Sequence, residues 1–267
     1  MPNLINHHSA SLAKILYIGD SGSGKTGSLV SLVNAGYKLL IIDFDNGLDI
    51  LAHMVHNQCP EKAGNIYYRT CTDALKSTDA GQVIPNGQPQ AYAKAMNLLT
   101  RWKTKDEDLG KTSELGSDWI VVIDSLTLMG DAAFRYAVNL NPNVREPRQW
   151  YNTAQNSILN MLQLLYSESF KTNVIITSHI TYIDQSENMT KGYPMAIGKA
   201  ISPKIGRYFN SALLATTKGS GKNTRRYIKT VSEPFIDLKN PDPVNVPSEL
   251  PLETGLAKYF QLVLNQT

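Results

Sequence analysis

An α/β fold, with a mostly parallel central sheet flanked by helices and an antiparallel hairpin at its edge, is what this sequence predicts from three observations. Short apolar runs alternate with longer segments of helical period, the pattern of strands buried on both faces and the helices that cross between them. Three of the runs end on polar groups: KLLIID at Lys38–Asp43, WIVVID at Trp119–Asp124, and Val174–Thr177 followed by Ser178 and His179. A fourth, Ile15–Ile18, runs straight into the glycine-rich turn GDSGSGKT, Gly19–Thr26, and then into the helix-like LVSLVNAG.

Taken in order, the strand at Lys38–Asp43 is followed by the acidic patch DFDNGLD, and Ile66–Arg69 reads as a third strand. Turn chemistry dominates between Pro85 and Pro89. Beyond it Tyr92, Ala95, Met96, Leu99 and Trp102 recur at helical spacing as a core-facing stripe. The polar, mixed-charge stretch Lys103–Asp118 reads as a solvated loop. Leu126–Gln149 reads as irregular, broken by Asn141, Pro142 and Pro147, with Arg135, Arg145 and Arg148 as its cations. A long helix is expected from about Arg148 to Ser167, because Tyr151, Ala154, Ile158, Met161, Leu162 and Leu165 keep a period of about 3.6. Thr181–Lys204, rich in glycine, lysine and polar residues, reads as a connection. The turn KGSGKNTRR then joins Ser211–Thr217 to RRYIKTV as an antiparallel hairpin. Residues 1–232 form the predicted core. Residues 233–267 are a Pro-rich linker, with five prolines up to Pro251, and an amphipathic helix through Leu256, Tyr259, Phe260 and Val263 that docks on its own core or on a neighbour.

Composition sets broad limits. A chain of 267 residues with 42% hydrophobic content buries a large core, and one α/β domain with an extension is the simplest fit. A net charge of +3 with 18% charged residues places any basic surface locally rather than globally. Cys59 and Cys71 lie outside any CxxC or metal spacing and read as free thiols, buried as small apolar groups. MPNLINHHSASLAK has no basic start followed by a long apolar run, and no stretch approaches the roughly 18 apolar residues of a membrane span. A soluble cytoplasmic protein is expected, with His7 and His8 as a solvated pair.

GDSGSGKT carries the chemistry. Gly19, Gly24, Lys25 and Thr26 have the spacing of a P-loop, in which a glycine-rich turn closes backbone N–H groups on phosphate oxygens and the following helix start adds positive potential. Gly19, Asp20, Ser21, Gly22, Ser23, Gly24, Lys25, Thr26 and Gly27 are therefore the predicted nucleotide contacts. Lys25 reaches the β- and γ-phosphates, and the Thr26 hydroxyl ligates Mg²⁺. Asp124, at the end of an apolar strand, holds the metal opposite Thr26. Hydrolysis also needs a group that positions water, and Asp43, Asp45 and Asp49 crowd the end of the second strand.

Over about residues 12–232, IIDFDNGLD, IVVIDSLTLM and VIITSHI resemble, in order and spacing, the catalytic-acid, Walker B and phosphate-sensing strands of RecA-type recombination ATPases. The resemblance is strongest to the short phage-encoded Sak-type single-strand annealing and recombination ATPases. It implies a RecA-like P-loop core that binds ATP and Mg²⁺ and hydrolyses ATP under stimulation by single-stranded DNA. It also implies a homo-oligomer with nucleotide between subunits, and a single-strand binding protein among the partners. Asp45 falls where the family places its water-activating glutamate, one methylene shorter, with Asp43 as runner-up. Asp124 matches the Walker B aspartate. His179 stands where a polar residue, commonly glutamine, senses the γ-phosphate; a satisfied structural histidine is the competing reading.

Leu126–Gln149 and Thr181–Lys204 occupy the places of the two DNA-binding loops. There Lys191, Lys199 and Lys204 are the phosphate candidates, and Tyr182, Tyr193, Trp150 or Tyr151 the base-stacking ones. Ordinary surface loops are the alternative. Arg225, Arg226 and Lys229 lie near where such filaments donate a cation to the next subunit's nucleotide, Arg226 being the candidate and a solvated hairpin edge the alternative. Only a short stretch precedes the first core strand, so subunit contact would come from the core or the C-terminal helix. A reading from another class is a nucleotide-dependent switch or helicase-loader-like assembly ATPase that acts on a protein partner. A small-molecule kinase fits less well, since no arginine-rich lid follows the sheet core.

Overall fold

The computed structural model describes residues 12–186 and 189–264; His7 and His8 lie outside the described residues. The chain opens with β1 (Lys14–Gly19), which turns through the glycine-rich loop into α1 (Lys25–Ser28) and α2 (Val30–Asn34). Next come β2 (Lys38–Asp43), α3 (Asp49–Gln58) and β3 (Ile66–Thr70), followed by a small hairpin of β4 (Leu75–Ser77) and β5 (Val83–Pro85). α4 (Ala91–Thr100) leads to a second hairpin, β6 (Arg101–Lys103) and β7 (Asp108–Lys111). β8 (Trp119–Asp124) precedes α5 (Leu126–Leu140) and α6 (Arg148–Tyr166), and β9 (Asn173–Ser178) runs into the hairpin β10 (Ile180–Ser186) and β11 (Met189–Pro194). The rest is α7 (Ser202–Ile205), β12 (Ser211–Lys218), β13 (Arg225–Lys229), β14 (Glu249–Pro251) and α8 (Leu252–Leu264).

Eight strands make the central sheet in the order β14-β13-β12-β1-β9-β8-β2-β3. β12, β1, β9, β8, β2 and β3 pair in parallel, and β13 and β14 close one edge antiparallel. The central strands are apolar on both faces because helices cover both. Alternate residues of β1 divide accordingly: Leu16 and Ile18 pack with α4, α5 and α6, whereas Ile15 and Tyr17 pack with α2, α3 and α8. Both cysteines are buried and unpaired, as expected. Among the described residues no helix is long and apolar enough to cross a membrane.

Four segments differ from their sequence reading. Leu126–Gln149 is not irregular: α5 fills most of it, because Leu126, Met129, Ala133 and Ala137 recur at helical spacing and are buried. Asn141 and Pro142 mark its end rather than preclude it. Thr181–Lys204 contains the β10–β11 hairpin, with a register shift between Asp184 and Ser186. Lys103–Asp118 contributes β7, and Trp102, read as part of a helical stripe, is the buried residue of β6. Tyr151 leaves the predicted core face of α6 and stays exposed, its ring 4.5 Å from that of Phe134. Beyond residue 232, β14 joins the sheet and α8 buries Leu252, Leu256, Tyr259, Phe260 and Val263 against the chain's own core, where the Tyr259 hydroxyl donates to Ser211 Oγ at 2.8 Å.

At the start of β1, Lys14 is 6% exposed, and its Nζ donates to the carbonyls of Phe170 and Thr172 at 2.7 Å each. Burial pushes this amine down from its ordinary 10.5 to about 7. Between those values the unfolded chain binds a proton that the folded chain lacks, so the destabilising contribution of the charge is full below about pH 7 and fades as pH rises to about 10.5. Wild type is expected to gain stability relative to Lys14→Met from pH 7 to pH 10 in paired urea titrations. A constant difference across that range would contradict the assignment.

Candidate functional site

The parallel register brings the carboxyl ends of β1, β9, β8 and β2 to one side of the sheet, with Ile18 beside Ser178 and Asp43 beside Asp124. The glycine-rich loop forms one wall. A Cβ on Gly19 would lie 2.6 Å from the Ala215 carbonyl oxygen and 2.7 Å from Ser23 Oγ, so only glycine fits between β1 and β12. Gly22 and Gly24 have φ of 75° and 97°, and a Cβ on Gly24 would meet Leu252 of α8 at 2.6 Å. Lys25 is buried and folds back so that Nζ donates to the Gly19 carbonyl at 2.7 Å and the Asp20 carbonyl at 3.0 Å. Burial pushes its pKa down, opposed by Asp124, Asp45 and Asp20. Asp20 and Ser21 are exposed on the loop. Gly27 is buried, and a Cβ there would meet Met54 Sδ at 2.9 Å, so its visible role is the close packing of α1 on α3.

Asp124 is 2% exposed and gripped from two sides. Oδ2 accepts from Thr26 Oγ1 at 2.7 Å, and Oδ1 accepts from Thr177 Oγ1 of β9. Burial pushes its pKa up and Asp45 adds to the rise, while the two hydroxyls and Lys25 pull it down. The Asp124–Ser125 peptide bond is cis. Ser125 meets Asp45, whose Oδ1 accepts from the Ser125 N–H at 3.0 Å and from its hydroxyl at 2.7 Å. The other oxygen of Asp45 lies 4.0 Å from His179 Nε2.

Asp43 behaves differently. It is 1% exposed; Oδ1 accepts from the backbone N–H groups of Asp45 at 3.1 Å and Gly47 at 3.5 Å, and Oδ2 faces Thr70 Oγ1 at 3.5 Å. It braces the turn after β2. Burial raises its pKa against the pull of those backbone donors. His179 is half-exposed; its backbone N–H donates to Thr127 Oγ1 at 3.1 Å, and its carbonyl accepts from the Met195 N–H at 2.7 Å. The site and the end of the β10–β11 hairpin are thus bonded through one residue.

The loop cations and aromatics are dispersed. Lys191 pairs with Asp237 at 2.5 Å, while Lys199 and Lys204 are exposed. Tyr182 is exposed and Tyr193 half-buried on the hairpin; Trp150 donates to the Asn141 carbonyl at 2.8 Å, and Tyr151 lies on Phe134. Arg226 sits on its own chain's loop, with Nε 3.3 Å from the Gly22 carbonyl oxygen. Sequence reasoning passed over Thr177, Ser125, Thr127 and Leu252. Ser125 was signalled by its place directly after an apolar strand that ends on Asp124; Thr177, Thr127 in α5 and Leu252 carried no signal, because their contacts depend on strand register and on how distant segments pack.

The donors fit a magnesium nucleotide. Thr26 and Asp124 offer the hard oxygen ligands that Mg²⁺ takes. Ser23 Oγ is buried within the glycine-rich loop with no hydrogen-bond partner among the described residues, an unsatisfied polar atom at the turn.

Residues 11–241 match the family model described as AAA domain. No curated protein sequence matches the chain. Solved structures similar to it include a KaiC-like protein of the hyperthermophilic archaeon Pyrococcus horikoshii OT3, at 12% identity and a TM-score of 0.41, covering 82% of this chain and 77% of that one. The flagellar accessory protein FlaH of Methanocaldococcus jannaschii is similar at 11% identity and a TM-score of 0.44, covering 91% and 87%. An ATPase from the type III secretion system of pathogenic bacteria is similar at 11% and a TM-score of 0.42; the alignment covers 76% of this chain and about half, 51%, of that one.

Thr177→Val keeps the shape of the side chain and removes the donor to Asp124 Oδ1. It is expected to destabilise the fold by about 1–3 kcal/mol, the cost of an unsatisfied buried acceptor. An unchanged denaturation midpoint would show that this hydroxyl does not satisfy the carboxylate.

Proposed function

The chain belongs to the AAA domain family, and from that premise we propose that it is a Mg²⁺-dependent ATPase whose nucleotide state is passed to a surface that binds single-stranded DNA. The observation that carries the hydrolytic reading is the row Thr26, Asp124, Ser125, Asp45 and His179, joined by hydrogen bonds of 2.7–3.0 Å and one 4.0 Å approach. Bound Mg²⁺ would neutralise charge on the phosphates. Lys25 leaves the carbonyls of Gly19 and Asp20 for phosphate oxygens, and the backbone of Gly19–Thr26 surrounds them. Thr26 and Asp124 would hold the metal. Asp45, oriented by Ser125, takes the proton of the attacking water, and its short side chain is set at the site by the two hydrogen bonds that Ser125 donates to Oδ1.

His179 reports occupancy. Its imidazole faces Asp45 and its carbonyl is bonded to Met195, so a shift of His179 moves the end of the β10–β11 hairpin. On and beside that hairpin, exposed Tyr182 and Phe235 supply stacking surfaces, and Lys199 and Lys204 supply cations. These features support DNA annealing or recombination, carried out by a homo-oligomer. One observation favours the second reading, a protein partner: Met189, Met195 and Val231 are exposed apolar neighbours of the same surface, and Lys191 is neutralised by Asp237.

ATP hydrolysis measured with and without single-stranded DNA separates the two. Stimulation together with salt-sensitive DNA binding is expected. Lack of both removes the DNA reading and leaves the ATPase. Lys25→Ala is expected to abolish hydrolysis, and Asp45→Asn to keep ATP binding while slowing turnover by roughly 100-fold or more, the usual contribution of a positioned base. Normal turnover by Asp45→Asn would overturn the base assignment.

A further inference from the structure

The strand register sorts the three cations of the edge hairpin. β12 lies beside β1 with Ala215 opposite Gly19, and two residues later Thr217 pairs with Arg226 of β13. Side chains alternate across a strand, so Arg226 shares a face with Ile228. Ile228 packs with Leu252 and Leu256 among the residues of α2, α3 and α8, the face on which the glycine-rich loop turns into its helix. Arg225, Tyr227 and Lys229 point the other way; there Tyr227 lies 5.0 Å from Lys218 Nζ, and Lys229 pairs with Glu233.

Arg226 is accordingly laid across the phosphate loop of its own chain. Its Nε donates to the Gly22 carbonyl at 3.3 Å, and its Cδ would lie 3.1 Å from a Cβ on Gly24, so the bare glycine makes room for it. Among the described residues no carboxylate pairs with Arg226, and the side chain is exposed. With Nε engaged, the two terminal nitrogens of the guanidinium remain, on the rim of the loop that holds the triphosphate.

We propose that Arg226 contacts a terminal phosphate of the ATP bound by the same chain, a cis role in place of the trans cation that the family resemblance implies. The proposal rests on the ATPase reading of the site. A guanidinium is always charged and presents donors in a fixed fork, so anchoring one edge on Gly22 orients the other edge without further ordering. The hydrogen-bonded strand order β1–β12–β13 within one chain delivers it, and no neighbouring subunit is required.

The test uses the full chain, a fluorescent ATP analogue to read binding, and phosphate release to read turnover. Arg226→Ala is expected to weaken binding by about tenfold or more, as for loss of a charge-assisted hydrogen bond. Arg226→Lys, which keeps the charge, is expected to recover part of that loss. Arg226→Gln, which can still donate to Gly22 but is neutral, is not. Arg225→Ala, on the opposite face, is expected to bind as wild type and serves with thermal melts as the control for folding. Mixing Arg226→Ala with Lys25→Ala subunits is expected to give no more turnover than Arg226→Ala alone. Recovery on mixing would assign the cation to the neighbouring subunit. Wild-type binding by Arg226→Gln would reduce Arg226 to a prop for the loop, and wild-type binding by Arg226→Ala would make it a solvated edge. A wild-type protein that neither binds nor hydrolyses ATP would overturn the ATPase reading itself, and this proposal with it.

Discussion

The carboxylate of Asp124 is the fastening on which the site depends. One oxygen takes the Thr26 hydroxyl at the head of α1, the other takes Thr177 on β9. β9 stands between β1 and β8, so Asp124 is not a sheet neighbour of the loop it serves. Two hydroxyls bridge that gap. A buried carboxylate without donors is costly by several kcal/mol, so the bridge also sets how far the helix can drift from the strand ends. The next residue repeats the device, as Ser125 turns its N–H and hydroxyl onto Asp45 and ties β2 to β8 beyond the last ladder pair.

On the other side of the loop the constraint is apolar. Leu252 and Arg226 approach Gly24 closely enough to exclude a methyl group, and the Ala257 N–H donates to Ser31 Oγ at 3.3 Å. The ring of Phe260 stacks edge-on to Tyr37 at 5.2 Å. α8 therefore holds α2 and the loop from behind, while Asp124 holds them from the sheet. The loop is held from both sides, and beside it Lys25 Nζ is bonded to the Gly19 and Asp20 carbonyls, Asp45 to Ser125, and His179 to Thr127 and Met195.

The sheet was legible because parallel strands buried on both faces appear as unbroken apolar runs, and because polar groups at their ends mark the side on which ligands bind. The loop from Gly19 to Thr26 was legible for a similar reason: its glycines answer to backbone geometry, at Gly19 and Gly24 above all. α5 was hidden by its own terminators. Asn141, Pro142 and Pro147 suggested an irregular chain across Leu126–Gln149, whereas helices commonly stop at such residues and the small residues Gly130, Ala133 and Ala137 pack inside. The β10–β11 hairpin was hidden because its lysines and glycine outweighed the alternation of Ile180, Tyr182 and their neighbours. Thr177 looked like one more β-branched strand residue; that its hydroxyl reaches Asp124 follows from the register of β8 with β9, which no local pattern encodes.

The two acids that the sequence left as alternatives have different surroundings. Asp43 ends β2 with three donors directed at its carboxylate, two of them backbone N–H groups of the turn it closes, and almost none of its surface reaches solvent. An acceptor so occupied has little capacity for a water molecule. Asp45 spends one oxygen on Ser125 and keeps the other without a hydrogen bond among the described residues, its side chain 26% exposed and facing His179 across 4.0 Å. Ionised carboxylates carry about four acceptor positions, so Asp45 has both the spare lone pairs and the access that a proton acceptor needs. Asp45 stands two residues past the strand end, beside the serine that follows Asp124, a placement that in the proposed role would offset the methylene it lacks relative to glutamate. The turn that places it is braced by Asp43.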